Sequence, residues 1–459
     1  DRSPSRGLGD VYKRQGVGLL LSIRTGFLQI RKFPYAMKVT IGRMLKKREA
    51  SDGALTPFQA VCTALAATVG TGNIAGVAGA IAIGGPGAVF WMWISAILGM
   101  CTKFSEVTLA VHFREKNADG DLVGGPMYYI KNGLKKQWHW LAYLFAAFGV
   151  LTVFGTGNAT QVNTITTAID SALYNYGVIS EQNVSTLNLV IGIILAVLIG
   201  LILLGGIKRI GQVAEKLVPF MAVIYIILAI GVVILNYRNI PTVFASIFKG
   251  AFSPASVTGG AVGSFFMSMK KGVSRGIFSN EAGLGSAPIA AAAAKTKEPV
   301  RQGLVTMTGT FIDTIVVCTM TGLCIVMMGS WSDQALEGVQ VTTATYQRGL
   351  YFLPSQVASC ILMICLVFFA FTTILGWDYY GERCVEYLFN RNKAVVKGYR
   401  WLYILAVFIG PYMTVAAVWN IADIFNALMA FPNLIALLAL SGVVVKETKE
   451  FHAKHKGSY

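Results

Sequence analysis

Long apolar blocks alternate with short, mostly basic polar segments along the whole of this 459-residue chain. At about 20 apolar residues per membrane-crossing helix, ten blocks are long enough to span a bilayer. They lie at 57–83, 87–113, 138–175, 187–206, 212–236, 258–294, 303–329, 350–389, 398–419 and 421–445. A shorter block at 16–30 contains Arg24 and reads as a partial amino-terminal membrane helix followed by a basic stretch to residue 50. The pattern predicts an all-α polytopic membrane protein of about 11 transmembrane helices. Residues 1–15 lead into no clean signal-cleavage pattern and read as a non-native or miscalled amino terminus.

The ten long blocks divide into two sets of five, 57–236 and 258–445, that start on opposite sides of the membrane. This is the arithmetic of a 5+5 inverted repeat, with one extra helix ahead of it and a tail at 446–459. In each set the first member is the one most interrupted by glycine and polar residues. The first holds Gly70, Thr71, Gly72 and Asn73; the second runs from Gly272 through Ser279, Asn280 and Glu281 to Gly283. Interrupted helices at matching places point to a transport site near the bilayer midplane, because unwound backbone in lipid must line a polar cavity or hold a ligand.

Composition supports the membrane reading: 54% of residues are hydrophobic and 13% charged. The net charge of +17 arises from Lys and Arg gathered in alternate loops, not on one face or in an arginine-rich tail. It therefore signals topology, with the carboxyl terminus cytoplasmic, and argues against a nucleic-acid partner. Seven cysteines lack metal-type spacing, and the four histidines form no cluster, so nothing suggests an enzyme or an organic cofactor.

Each break has two readings. Carbonyls freed at Gly70–Asn73 suit a hard cation such as sodium, and amides at a half-helix amino end suit a carboxylate. The alternative is close packing, since Gly72 with Gly76, and Ala75 with Gly79, repeat small residues at four-residue spacing. In the second break, Ser279 or Asn280 reads as an amino-terminal cap for the run 287–294. Arg275 and Glu281 read as mutually compensating charges, with a gate as the alternative. Asp313 lies near a midplane as a coupling group or a structural hydrogen-bond partner. Gln161, in an unusually polar third helix with Asn158 and Asn163, is a candidate cavity residue. Thr372 and Thr373 are candidate sodium ligands, and Trp377 is a pocket wall or simple packing. Lys103 with Glu106 reads as a helix pair near a cytoplasmic end, without a transport role.

The segments TALAATVGTGNIAGVAGAIAIGGPGAVFWMW, GGPMYYI, GVSRGIFSNEAGLGSAPIAAAAAKT, GTFIDTIVVCTMTGL, LGWDYYGERC and VWNIADIFNALMAFPNLIALL resemble those of the alanine or glycine:cation symporters of bacteria and archaea. The likeness spans 16–449. It implies a leucine-transporter-type fold with two discontinuous helices and sodium-coupled uptake of a small neutral amino acid, alanine or glycine, across a prokaryotic cell membrane. By that resemblance the substrate would sit at Gly70, Thr71, Gly72 and Asn73 and across from them at Gly276, Ile277, Phe278 and Asn280. Gln161 and Trp377 would contribute around it. A sodium ion would lie between carbonyls near Ala66 and Val69 and the hydroxyls of Thr372 and Thr373. Proton coupling through Asp313 and a channel are the rival readings.

Overall fold

In the computed structural model of the chain, residues 8–45, 57–117, 120–252, 256–258, 261–263, 265–294 and 296–455 are described. Three helices come first: α1 (Leu8–Arg24), a short α2 (Leu28–Arg31) and α3 (Phe33–Leu45). The first interrupted segment is α4 (Pro57–Thr68), a tight 3-10 turn at Thr71–Asn73, and α5 (Ala75–Gly84). Next come α6 (Ala88–His112), a small ribbon of β1 (Glu115–Lys116) and β2 (Leu122–Val123), and α7 (Pro126–Gly133). The following helix is α8 (Trp140–Thr152), a π-helical stretch Val153–Ala159, and α9 (Thr160–Asn175), and it leads to α10 (Val184–Leu203) and α11 (Gly206–Leu235).

The second half begins with α12 (Ile240–Phe252) and a ribbon of β3 (Ser256–Thr258) and β4 (Ala261–Gly263). The second interrupted segment is α13 (Phe265–Asn280), a six-residue turn, and α14 (Ala287–Ala291). It is followed by α15 (Pro299–Thr310), a π-helical stretch Phe311–Cys318, α16 (Thr319–Met328), and α17 (Val339–Gly349). The chain closes with α18 (Ser355–Leu388), α19 (Lys393–Ala406) and α20 (Val415–Lys454).

Among the described residues, seven helical stretches are long and apolar enough to cross a membrane: Ala88–His112, Lys136–Tyr174, Val184–Leu203, Arg209–Leu235, Pro299–Met328, Ser355–Leu388 and Val415–Lys454. The two interrupted segments, α1 and α19 are each shorter, because turns divide them. α20 contains the apolar block 421–445 whole, whereas the block 398–419 is divided between the end of α19, a turn and the start of α20. The chain turns at Gly410–Tyr412, where Pro411 cannot continue a hydrogen-bonded helix, and α20 then runs unbroken through Pro432.

Burial follows composition. α6 is the most buried of the long helices, and α10 and α11 turn broad Leu, Ile and Val faces outward, as a lipid-facing rim requires. Arg24 of α1 bonds Ser441 of α20, so that helix is tied into the bundle by a polar contact as well as by buried Val17 and Leu21. Arg14 and Gln15 also reach inward, to the Asn426 carbonyl at 2.8 Å and Ser95 Oγ at 3.1 Å. Residues 1–7, and with them the start of the stretch expected to be non-native, lie outside the described residues.

Candidate functional site

α4 stops at Thr68 and the backbone unwinds at Gly70, whose φ is −138° and ψ −153°. Its amide would be left unpaired in an apolar interior, and the Asn73 side chain takes it up: Gly70 N donates to Asn73 Oδ1 at 2.8 Å. The other end of that amide faces outward from the turn. Asn73 Nδ2 donates to Asp313 Oδ1 at 2.7 Å and to the Asp313 carbonyl at 3.1 Å. One asparagine thus closes the first break and fastens it to the π-helical stretch Phe311–Cys318.

The second break meets the same carboxylate. Ser279 Oγ, at the end of α13, donates to Asp313 Oδ2 at 2.8 Å, and Thr314 Oγ1 donates to the same oxygen at 2.7 Å. Asn280 Nδ2 donates to Thr314 Oγ1 at 3.1 Å. Asp313, Asn73, Asn280 and Thr314 are all fully buried. A π-helical turn is wider than an α-turn and carries a residue outside the regular ladder, a common device at functional sites. Here it holds Asp313 between the two interrupted segments.

The break in the second segment lies later than glycine and polar content suggest. Residues 272–280 are regular helix, and the chain leaves it at Glu281, whose φ is +57°. Gly283 and Gly285 follow in the same left-handed region, at +84° and +82°. Ser279 and Asn280 therefore close α13 and do not cap the next helix; Asn280 Oδ1 accepts from Ala282 N at 3.0 Å, and α14 starts after Ser286 with no side-chain cap. Gly272 and Gly276 serve helix packing. A Cβ on Gly272 would strike the Ala88 carbonyl of α6, and one on Gly276 would crowd Ser95 at 3.2 Å.

Of the substrate candidates, Gly70, Thr71, Gly72, Asn73, Phe278 and Asn280 are gathered at the two breaks. Gly72 lies against α13, where a Cβ would stand 3.0 Å from Phe278 and 3.1 Å from Ser279. Gly276 lies against α6, and the Ile277 side chain packs with Val273, Trp91 and Met269, away from the break. Trp377 is buried against the π-helical stretch of the third spanning helix: a Cβ on Gly157 would overlap it. Its indole also interacts with Glu281, which links α18 to the second break. Gln161 Nε2 donates to the Thr156 carbonyl at 3.0 Å, whereas its Oε1 is buried with no partner among the described residues. Thr71 Oγ1 is in the same state. Asn158 instead braces α19 through the Tyr403 carbonyl, and Asn163 braces the turn between α19 and α20 through the carbonyls of Gly410 and Met413.

The two threonines of α18 diverge. Thr373 Oγ1 reaches the Ala66 carbonyl of α4 at 3.1 Å and crowds the Cα of Gly70, where a Cβ would collide with it. Val69 is buried one residue before that contact. Thr372 faces the other way: its hydroxyl bonds the Phe368 and Phe369 carbonyls and Met221 of α11. The oxygen donors near the end of α4 are thus Ala66 O and Thr373 Oγ1, without Thr372.

Three further features escape the linear pattern. Arg275 pairs with Asp423 of α20, not with Glu281, through two bonds of 2.9 and 3.0 Å, and its guanidinium lies 4.4 Å from the Trp419 ring. Phe278 and Trp419 pack with ring centroids 4.6 Å apart and planes tilted by 49°, so α13 and α20 are joined by a charge pair backed by aromatic surface. Glu106 is no simple helix partner of Lys103; its Oε1 accepts from Gly285 N at 3.1 Å and Asn433 Nδ2 at 2.6 Å, and so holds the turn of the second break. Lys103 is fully buried beside Glu281, Glu106 and Asp313, its ammonium without a hydrogen bond among the described residues. A signal for the first feature was present in VWNIADIF, an acidic residue in an otherwise apolar block.

Interrupted helices joined through a buried carboxylate present free backbone groups and charge in the interior, and similarity to known proteins identifies the class. Residues 12–458 match the description of the Sodium:alanine symporter family. The chain belongs to that family. It is 46% identical over 446 residues to the "Sodium/alanine symporter AgcS" of Methanococcus maripaludis, covering 96% of this chain and 93% of that protein. An "Uncharacterized transporter" of Haemophilus influenzae is 49% identical over 443 residues, 96% of this chain and 92% of that one. The "Probable sodium/glutamine symporter GlnT" of Bacillus subtilis is 40% identical over 96% of this chain and 87% of that protein. Among solved structures, MhsT in complex with L-phenylalanine superposes with a TM-score of 0.58 at 13% identity, covering 88% of this chain and all of that one. That likeness shows the leucine-transporter-type fold. The family member described here is a multi-pass membrane transporter of the cation-coupled amino-acid symport class.

Proposed function

We propose that this symporter carries a small neutral amino acid, alanine or glycine, into a prokaryotic cell together with sodium. The observation that carries the reading is the meeting of both interrupted segments on Asp313, with Asn73, Ser279 and Thr314 all donating to one buried carboxylate. A zwitterion needs donors for its carboxylate and acceptors for its ammonium, and unwound half-helix ends offer both. Thr71 Oγ1 and Gln161 Oε1, buried and unpartnered, are the side-chain atoms left to complete such a shell. Phe278 and Trp377 bound its size. For sodium, Ala66 O, the backbone at Val69 and Thr373 Oγ1 form an all-oxygen donor set of the kind hard cations prefer. Thr372 is left out of that set, and Asp313 supplies negative charge nearby.

In this reading the halves 57–236 and 258–445 alternate access to one central site, and the Arg275–Asp423 pair closes the outer side. Each sodium entering along the membrane potential releases about 2.3 kcal/mol per 100 mV before its concentration gradient is counted. That drives a neutral zwitterion uphill. The test is counterflow of labelled alanine in liposomes containing the purified protein, with sodium present or replaced at fixed pH. Sodium-dependent exchange of alanine, inhibited by glycine, is expected. Exchange that persists without sodium and follows a pH gradient would instead favour proton coupling, for which the buried Asp313 is the candidate carrier. Ion current without substrate would favour a channel.

A further inference from the structure

Away from the central site, a cleft of about 410 Å³ opens between the end of α10 and the start of α19. Its floor is apolar: Leu203, Val396 and Ile404 are nearly buried there. Its mouth is also apolar on one side, where Leu204 is 64% and Trp401 52% exposed. The rest of the rim is basic. Along α19, Lys393, Lys397, Arg400, Trp401 and Ile404 follow three- and four-residue spacing, so one helix face passes from charge to indole to aliphatic surface. Arg391 also lies at the rim but is turned to Tyr128 and Glu386, which leaves the two lysines as the cations facing the cleft.

The acidic residues in the cleft are already engaged. Glu382 accepts two bonds from Arg400, at 2.7 and 2.8 Å, and one from Arg383 at 3.0 Å; Glu386 pairs with Arg383 at 2.9 Å. Lys393 and Lys397 are exposed and form no ion pair among the described residues. The cleft thus joins surplus positive charge to exposed apolar surface along one wall, with a tryptophan at the boundary. Tryptophan favours the membrane–water interface, and basic pockets between spanning helices select anionic headgroups.

We propose that this cleft binds an anionic phospholipid: the phosphate is held by Lys393 and Lys397, and an acyl chain lies along Leu204 and Trp401. A free phosphate would satisfy the rim but leave that exposed apolar wall unmatched, and a zwitterionic lipid would carry its own cation to the lysines. At roughly 1 kcal/mol per basic residue near an anionic surface, removing one lysine weakens the contact about fivefold.

The probe is tail-brominated phosphatidylglycerol against equally brominated phosphatidylcholine, each at the same mole fraction in nanodiscs holding the purified transporter. The chain has eight tryptophans, so the Trp401 signal is taken as the difference between the protein and Trp401→Phe. Quenching of that component several-fold greater with phosphatidylglycerol is expected. It should fall to the phosphatidylcholine level in Lys393→Gln/Lys397→Gln, whose changes are exposed and leave alanine counterflow intact. Equal quenching by both lipids, or undiminished preference in the double variant, overturns the proposal. Reversal of the quenching by millimolar inorganic phosphate overturns it in favour of a free-anion site.

Discussion

Replacing Asp313 by Asn tests the centre of the site while keeping its shape. The carboxylate now accepts three side-chain bonds, from Asn73 on one oxygen and from Ser279 and Thr314 on the other, all between 2.7 and 2.8 Å. In Asp313→Asn the amide oxygen can still accept from Asn73, and the amide nitrogen can donate to the two hydroxyls, which rotate to accept. The lattice of contacts survives, and what is lost is the charge. Asp313 is also one of three carboxylates beside the buried Lys103 ammonium, and removing part of that compensation costs up to about 3–5 kcal/mol, so the melting temperature of Asp313→Asn should fall. A cation in the site loses attraction as well. One unit charge contributes about 4 kcal/mol at 4 Å and about 2 kcal/mol at 8 Å for an effective dielectric constant of about 20. These figures correspond to a rise of roughly thirtyfold to a thousandfold in the sodium concentration needed for half-maximal uptake. The assay is alanine uptake into proteoliposomes over a sodium series, beside melting of the purified variant. A properly folded Asp313→Asn protein whose sodium dependence is unchanged would refute the role given to this carboxylate.

Gly70→Ala should abolish uptake, since its Cβ overlaps Thr373 Oγ1 and overpacking of this kind costs about 1–3 kcal/mol; adding Thr373→Ala should restore the melting temperature but not sodium-driven uptake. Thr373→Ala alone should raise the sodium requirement several-fold, as the loss of an interaction of about 0.5–1.5 kcal/mol implies, whereas Thr372→Ala, whose hydroxyl faces Met221 and its own helix, should leave it within about twofold of the parent. Equal effects of the two threonine variants in the sodium series would remove Thr373 from the ion site.

The parts of the site legible in the sequence are those in which a membrane helix contradicts itself locally. Gly70-Thr71-Gly72-Asn73 interrupts an apolar block, and no neighbour is needed to see it. Asp313 likewise declares itself by depth, because an acidic residue some ten positions into an apolar helix must have partners. The second break was harder to place, as glycine has two uses that sequence does not separate. Gly272 and Gly276 let α13 lie against α6, while Gly283 and Gly285 turn the chain with positive φ. Glu281 also adopts positive φ, without the glycine that would announce it. The π-helical stretch at Phe311–Cys318 has no compositional mark at all. Least legible were the long-range pairs. Arg275 finds Asp423, 148 positions away, and Glu106 finds the amide of Gly285, 179 positions away, because partners inside a membrane bundle are set by helix packing and not by proximity in the chain.

The Arg275–Asp423 contact has the energetics of a latch, not of a rivet. Asp423 is 39% exposed at its side chain, so solvent screening leaves the pair worth about 1 kcal/mol even with two good bonds. The guanidinium over Trp419 and the Phe278–Trp419 contact each add about 0.5–2 kcal/mol. In the proposed cycle the closed arrangement is therefore held by only a few kcal/mol, the range in which differential binding of a ligand shifts populations between two states. Asp423→Asn removes the charge pair but keeps the aromatic contacts, and should raise the open population about fivefold, the equivalent of about 1 kcal/mol. A reporter lies directly beneath: Gly76 is buried, and its Cβ position is 3.5 Å from the Trp419 ring. In a background lacking the native cysteines, Gly76→Cys should react with a membrane-impermeant thiol reagent about five times faster when Asp423→Asn is added. Trp419→Ala should accelerate it further. If labelling of Gly76→Cys is indifferent to Asp423→Asn but follows Trp419, the aromatic contact alone closes this side, and the ion pair only keeps Arg275 neutralised within the membrane.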